Sequence, residues 1–286
     1  MIIIKDRTMK KFDILNEKKV LICAHRGVWG GNIPCNTLTA FDIAIAQGAD
    51  MVELDVTASA DGELFVFHPG TEPRQLCRPD LDIQKLPASE VKKLRYVNFD
   101  GAETVEPIPL LDDAFEHLKG RCYINVDKFR HNSVAIMEKI RRHGIEDQIV
   151  VKAAPHREVV DLMSTVAPEI RFLAIICDKH DPIAVHEQLK ANLAGYVGLE
   201  LVFQDDSSPL VDPAFIELLH RDGKLAWGNS ILFNYRTLLA GVHSDDTALR
   251  GDPDLGWGWF VKHGFDIIQT DWSREVSLYL QKIKAR

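Results

Sequence analysis

No stretch of this sequence approaches the roughly 18 consecutive apolar residues that a membrane span needs, so an integral membrane segment is not expected. Residues 1–19 open with three isoleucines and then turn to mixed charge, without the apolar centre of a signal peptide. Cysteine is scarce. Five thiols, an odd number with no paired spacing, point to reduced cysteines rather than a disulfide framework. These features together predict a cytoplasmic protein. A basic excess is also missing: 34 Lys and Arg face 42 Asp and Glu, a formal charge of −8, which argues against a nucleic-acid-binding surface. Pro/Gly/Ser-rich linkers, low-complexity tracts and fixed-period repeats are absent. The reading is one domain over residues 1–286, of ordinary globular composition with 46% hydrophobic and 27% charged residues.

What is present is alternation. Short apolar runs at 20–25, 51–56, 122–127, 149–153, 172–177, 196–203, 224–228 and 266–270 are separated by helical patterns, among them 37–47, 112–119, 133–143, 181–190 and 213–220. Near-continuous apolar strands suit a parallel sheet covered on both faces. Eight strand–helix units in a chain of this length predict a (β/α)8 TIM barrel. The irregular part follows the second strand. Ala60-Asp61-Gly62-Glu63 is a hairpin signal, and a hairpin centred between Asp61 and Gly62 places residues 55 and 68 opposite one another. The remainder, residues 69–109, reads as a rim insertion with one helix near 89–94. Such insertions shape the pocket of a barrel.

Barrel sites are built at the C-terminal ends of the strands. The first strand ends in His25-Arg26-Gly27. The second carries Glu53 and Asp55, two apart and therefore on one face. The hairpin returns His68, and the third strand ends in Asn125-Val126-Asp127-Lys128. Three carboxylates brought together repel unless a cation lies among them, and all-oxygen ligation suits Mg²⁺ or Ca²⁺. Two histidines beside such a cation suit proton transfer in both directions. Arg26 suits bidentate contact with a phosphate, and Lys128 a second point charge. Glu200 interrupts an apolar strand, and a buried carboxylate there requires a partner, for which Lys152 is the candidate. The residues by themselves indicate metal-assisted phosphate-ester or enolate chemistry on a barrel.

The order and spacing of His25-Arg26-Gly27, Pro34-Cys35-Asn36-Thr37, residues 48–56, Asp61-Gly62 and Phe65-Val66-Phe67-His68 resemble the signature of the glycerophosphodiester phosphodiesterases. Residues 125–128 and 264–271 resemble later segments of that family. The resemblance implies Glu53, Asp55 and Asp127 as ligands of one divalent cation, His25 and His68 as the acid–base pair, and Arg26 as a phosphate contact. Lys128, Glu200 and Trp227 are the further candidates for substrate binding: Glu200 binds substrate or organises the site, and Trp227, which resembles a family tryptophan, lines the pocket or packs in the core. The implied reaction is hydrolysis of a small-molecule glycerophosphodiester to glycerol phosphate and an alcohol. The alternatives are lysophospholipase D-like or other alkyl phosphodiesterase activity, or a non-catalytic barrel that binds phosphodiesters. The mouth shaped by residues 69–109 and 230–256 is the discriminator between lipid and head-group substrates.

Two positions depart from the family pattern. Cys35 stands where a Glu is usual, which changes the loop's charge or creates a redox-sensitive thiol. Pro69 stands where an Asp follows the second histidine, and it removes a backbone donor. Thr37 reads as an N-cap, Glu72 as an exposed loop charge, and 244–259 as a rim loop without the order of calcium ligands. Oligomeric state is left open.

Overall fold

The computed structural model describes residues 12–17, 19–232 and 236–286. Most of the charged stretch within residues 1–19, and positions 233–235 of the rim, therefore lie outside the described residues. Eight parallel strands close on themselves: β1 (Leu21–Ala24), β2 (Met51–Ala58), β6 (Tyr123–Asp127), β7 (Ile149–Ala153), β8 (Arg171–Cys177), β9 (Tyr196–Val202), β10 (Leu225–Asn229) and β11 (Ile267–Thr270), the last pairing back to β1. All eight expected strands are present. Helices α1 (Leu38–Ala46), α4 (Leu111–Leu118), α5 (Ser133–His143), α6 (Arg157–Val166), α7 (Pro182–Asn192), α8 (Pro213–Arg221), α10 (Trp257–Lys262) and α11 (Ser273–Lys282) lie between or after them. Thr37 caps α1, its hydroxyl oxygen accepting from the Ala40 N–H.

The period of two along each strand sorts side chains between two interiors. Val52, Leu54 and Val56 of β2 face outward into the apolar shell beneath the helices. Met51 faces inward, joining Leu21, Cys23, Tyr123, Val150, Leu173, Trp227 and Ile267 in a plug inside the barrel. Glu53 and Asp55 continue that inward row. The same alternation that buries methyl groups outside thus aims carboxylates at the barrel axis.

The hairpin exists with a register one residue away from the expected one. β3 (Leu64–Val66) pairs antiparallel with β2 as Val56↔Val66 and Ala58↔Leu64, and the Phe67 N–H donates to Asp55 O. Asp55 therefore opposes Phe67 rather than His68. The reason is a wider turn: the Ser59 N–H closes on Glu63 O at 2.9 Å, and Gly62 takes φ +86°. The insertion holds α2 (Glu72–Gln75), α3 (Ala88–Val91) and an unexpected antiparallel ribbon of β4 (Arg95–Val97) and β5 (Glu103–Pro107). β5 escapes sequence detection because Glu103, Val105 and Pro107 all point to solvent. Phe65, Phe67, Leu76, Ile83, Val91, Tyr96 and Ile108 give the insertion a small core of its own. Glu72 is buried there, against expectation, accepting from the Ile83 N–H. Residues 244–259 likewise hold more than a loop: the short helix α9 (Asp245–Leu249) starts at the Ser244 cap.

Candidate active site

Glu53 and Asp55 from β2 and Asp127 from the end of β6 offer oxygens that all lie within 4.8 Å of one another. β2 and β6 pair in register, Asp55 beside Asp127, which is why strands distant in sequence align these carboxylates. Burial and the nearby Asp55 charge push Glu53 up to about 7. Asp55 is fully buried, yet its Oδ1 has no hydrogen-bond partner; His68 Nε2 and Lys128 Nζ both stand 3.9 Å away. A buried orphan oxygen inside an acidic cluster fits a hard cation with oxygen ligands. Asn125 adds a second buried oxygen, Oδ1, without a partner, on the same inward row as Asp127.

Three of the five non-glycine residues with positive φ among the described residues occur here: Arg26 at 59°, Asn36 at 59° and Lys128 at 61°. Such strain concentrates where structure must place a functional group. Arg26 donates its backbone N–H to Glu53 Oε2 at 2.9 Å, and its Nε sits 2.9 Å from Asp55 Oδ2, an ion pair not aligned as a hydrogen bond. Asn36 grips Asp55 at both ends, Nδ2 donating to Oδ2 at 2.9 Å and Oδ1 accepting from the Asp55 N–H at 3.3 Å. Lys128 covers Asp127, with Nζ 2.6 Å from Oδ2 and its backbone N–H 2.8 Å from Oδ1. These cationic contacts hold Asp127 below the usual carboxylate range despite its burial. Gly27 follows at φ +77°, and a Cβ there would meet the Ala40 carbonyl carbon at 2.7 Å, so the loop carrying His25 and Arg26 packs directly on α1.

The two histidines have different holders. His25 Nδ1 lies 2.9 Å from Asp271 Oδ1. His68 Nδ1 donates to the Pro69 carbonyl oxygen at 3.0 Å, which fixes the tautomer and leaves Nε2 as the acceptor on the side of Asp55. Burial holds His68 below the ordinary imidazole range. Pro69 lacks both an N–H and a carboxylate, but its carbonyl orients the ring.

Glu200 and Trp227 lie in the barrel interior and not on an open wall. Glu200 pairs with Lys152 at 2.8 Å, as the isolated charge on its strand required, and accepts from Asn229 Nδ2 at 2.7 Å. Lys152 also donates to Gln269 Oε1 at 2.7 Å and stands 4.0 Å over the Trp227 ring. Trp227 has no exposed surface, which corrects the pocket-lining reading and leaves core packing, the other expected role. The indole gives the buried Lys152 ammonium a polarisable face beside its Glu200 and Gln269 partners. Asn36 and Asp271 belong to segments of the family-like pattern, yet nothing in the sequence indicated what they hold.

Cys35 is buried at 8% exposure, accepts from Gln75 Nε2 at 3.2 Å, and its thiol is pushed up to about 11 by burial. The thiolate is the reactive form, so burial and the raised thiol favour a loop-filling role for Cys35 over a redox-sensitive one. An alkylating reagent at pH 7.5 should label the exposed Cys77 while leaving Cys35 unmodified by peptide mass spectrometry, and Cys35→Ser should retain activity within a few-fold. A second cluster, His186, Glu187 and Asp222, lies among helices outside the barrel. Both His186 ring nitrogens are taken, by the Tyr196 hydroxyl and Asp222, and Lys190 is 2.6 Å from Asp222, which makes it a salt-bridge network.

A parallel barrel with a carboxylate cage at its strand ends, flanked by one imidazole after β1 and one from the hairpin, defines a class of hydrolytic, cation-assisted site. The chain belongs to the glycerophosphoryl diester phosphodiesterase family, whose sequence profile matches residues 25–167, half of its length. A domain of unknown function matches residues 175–280. Curated relatives named glycerophosphodiester phosphodiesterase include one from Caldanaerobacter subterraneus subsp. tengcongensis, 28% identical over 54% of this chain and 65% of its own, and one from Bacillus altitudinis, 31% identical over 56% and 69%. The alignments thus span about two thirds of these relatives. An Oleispira antarctica phosphodiesterase, solved with the product sn-glycerol-3-phosphate, matches with a TM-score of 0.65 and 22% identity over 92% of this chain and 97% of that one, which establishes the fold.

Proposed function

We propose that this protein hydrolyses glycerophosphodiesters to glycerol phosphate and an alcohol, with one divalent cation, Mg²⁺ or Ca²⁺, held by Glu53, Asp55 and Asp127. The observation that carries this reading is the convergence of three carboxylates, one with an orphan oxygen, beside two imidazoles on a barrel of this family. When bound, such a cation polarises phosphate oxygens and offsets developing charge. Arg26 and Lys128 supply fixed positive charge for the phosphate. His68, whose Nδ1–H is committed to a neutral carbonyl, accepts the proton of the attacking oxygen at Nε2. His25, whose Nδ1 lies 2.9 Å from the Asp271 carboxylate, protonates the leaving alkoxide as the P–O bond breaks. Glu200 and Trp227 act from within the barrel, by holding Lys152.

The test is a panel of glycerophosphodiesters assayed after chelation, then with Mg²⁺, Ca²⁺ or Mn²⁺ restored. Turnover that requires a cation is expected; no turnover of any diester with any of the three overturns the reading. A transient cyclic glycerol phosphate identifies the substrate's own hydroxyl as the attacking oxygen, and its absence identifies water. A lysophospholipid belongs in the same panel. Trp29 and Phe99 are exposed apolar side chains on segments joined by the bond from Asn98 Nδ2 to Asn32 Oδ1, which is the reason to include it.

A further inference from the structure

Asp245 opens α9, in the half of the chain that the phosphodiesterase profile does not cover, and its carboxylate is only 3% exposed. Four donors converge on it. Oδ1 accepts from Ser230 Oγ at 2.7 Å, Trp257 Nε1 at 2.7 Å and Thr270 Oγ1 at 2.8 Å, and Oδ2 accepts from the Asp271 backbone N–H at 3.0 Å. Thr270 Oγ1 in turn accepts from the Trp272 N–H at 2.9 Å, so the turn at 270–272 is clamped on both sides of Asp271. That turn holds His25 twice: Thr270 O accepts the His25 backbone N–H at 3.0 Å, and Asp271 Oδ1 accepts at the ring, 2.9 Å from Nδ1.

A carboxylate at the start of α9 that gathers donors from the end of β10, from α10 and from the end of β11 costs desolvation, and burial does push Asp245 upward. Welding elements together would need only apolar packing. What the polar arrangement adds is a fixed direction for the Asp271 main chain, and through it a fixed orientation for the imidazole. We propose that Asp245 is a positioning residue for His25, acting through Thr270 and Asp271 so that Nδ1–H stays bound and Nε2 remains the proton-carrying atom. This assigns a role to part of the 175–280 segment, and it rests on the reading of His25 as a proton carrier.

Asp245→Asn keeps the shape but leaves one acceptor oxygen for four donors. It should lower kcat roughly 10–100-fold, by analogy with the loss of groups that orient metal ligands, with KM nearly unchanged. In a His25→Ala background the same change should cost less than about twofold, because a group acting only through His25 has nothing left to position. Equal losses in both backgrounds overturn the inference and make Asp245 a purely architectural residue. No loss in His25→Ala itself overturns the functional reading instead. If Asp245→Asn does not fold, Trp257→Phe removes a single donor and enters the same cycle, with a smaller kcat loss expected that again vanishes beside His25→Ala. Nitrogen-15 NMR of the imidazole gives a readout apart from activity: the His25 Nδ1–H tautomer should lose dominance in the Asp245 variant, and an unchanged tautomer signature overturns the proposal.

Discussion

His25→Ala and His68→Ala should each lower kcat by roughly 10²–10⁴-fold, the usual contribution of a positioned acid or base. The carboxylate cage does not pass through either ring: Glu53 is held by the Arg26 N–H and Asp55 by Asn36. Cation affinity should therefore stay close to that of the unaltered protein, and extra cation should restore neither variant. Substrate choice separates the two. A nitrophenolate leaving group needs little protonation, so a nitrophenyl diester should recover much of the lost rate in His25→Ala and little in His68→Ala. The reverse pattern would exchange the two roles. Recovery of both variants on metal titration would make the histidines ligands and remove the acid–base assignment.

Asp127→Asn should act on the cation and not on proton transfer. It removes one negative charge from a group of three, and hard divalent ions depend on charged oxygen ligands. It also strips the Lys128 ammonium of its 2.6 Å partner, leaving positive charge beside the vacated position. Cation affinity, read by calorimetry, should fall by at least the roughly 10–100-fold seen when groups supporting a metal site are lost. Saturating cation should restore part of the activity. Asp127→Asn with unchanged cation affinity and a large kcat loss would place the cation elsewhere and leave Asp127 with a different task.

The strand–helix alternation, and with it the barrel, was legible because parallel strands buried on both faces must be apolar on both. The inward aim of Glu53 and Asp55 followed from the same period of two. Asp127 at the end of a separate apolar run could be read in the same way, and so could the need of Glu200 for Lys152, since a charge inside an apolar strand demands a countercharge. These conclusions depend on spacing within a segment or on a local energetic requirement, both of which a sequence contains.

The tertiary structure decided what depends on contacts between distant segments or on turn geometry. One extra residue in the turn moved the hairpin so that Phe67, not His68, faces Asp55. Burial closed Cys35 away from solvent and placed Trp227 under Lys152. The solvent-facing strand β5 had no apolar pattern to reveal it. Asp271 reaches His25 across 246 positions, and Asp245 reaches Asp271 across 26. Closing a barrel brings its first and last strands together, and only that closure puts the end of the chain beside the residue that opens its site.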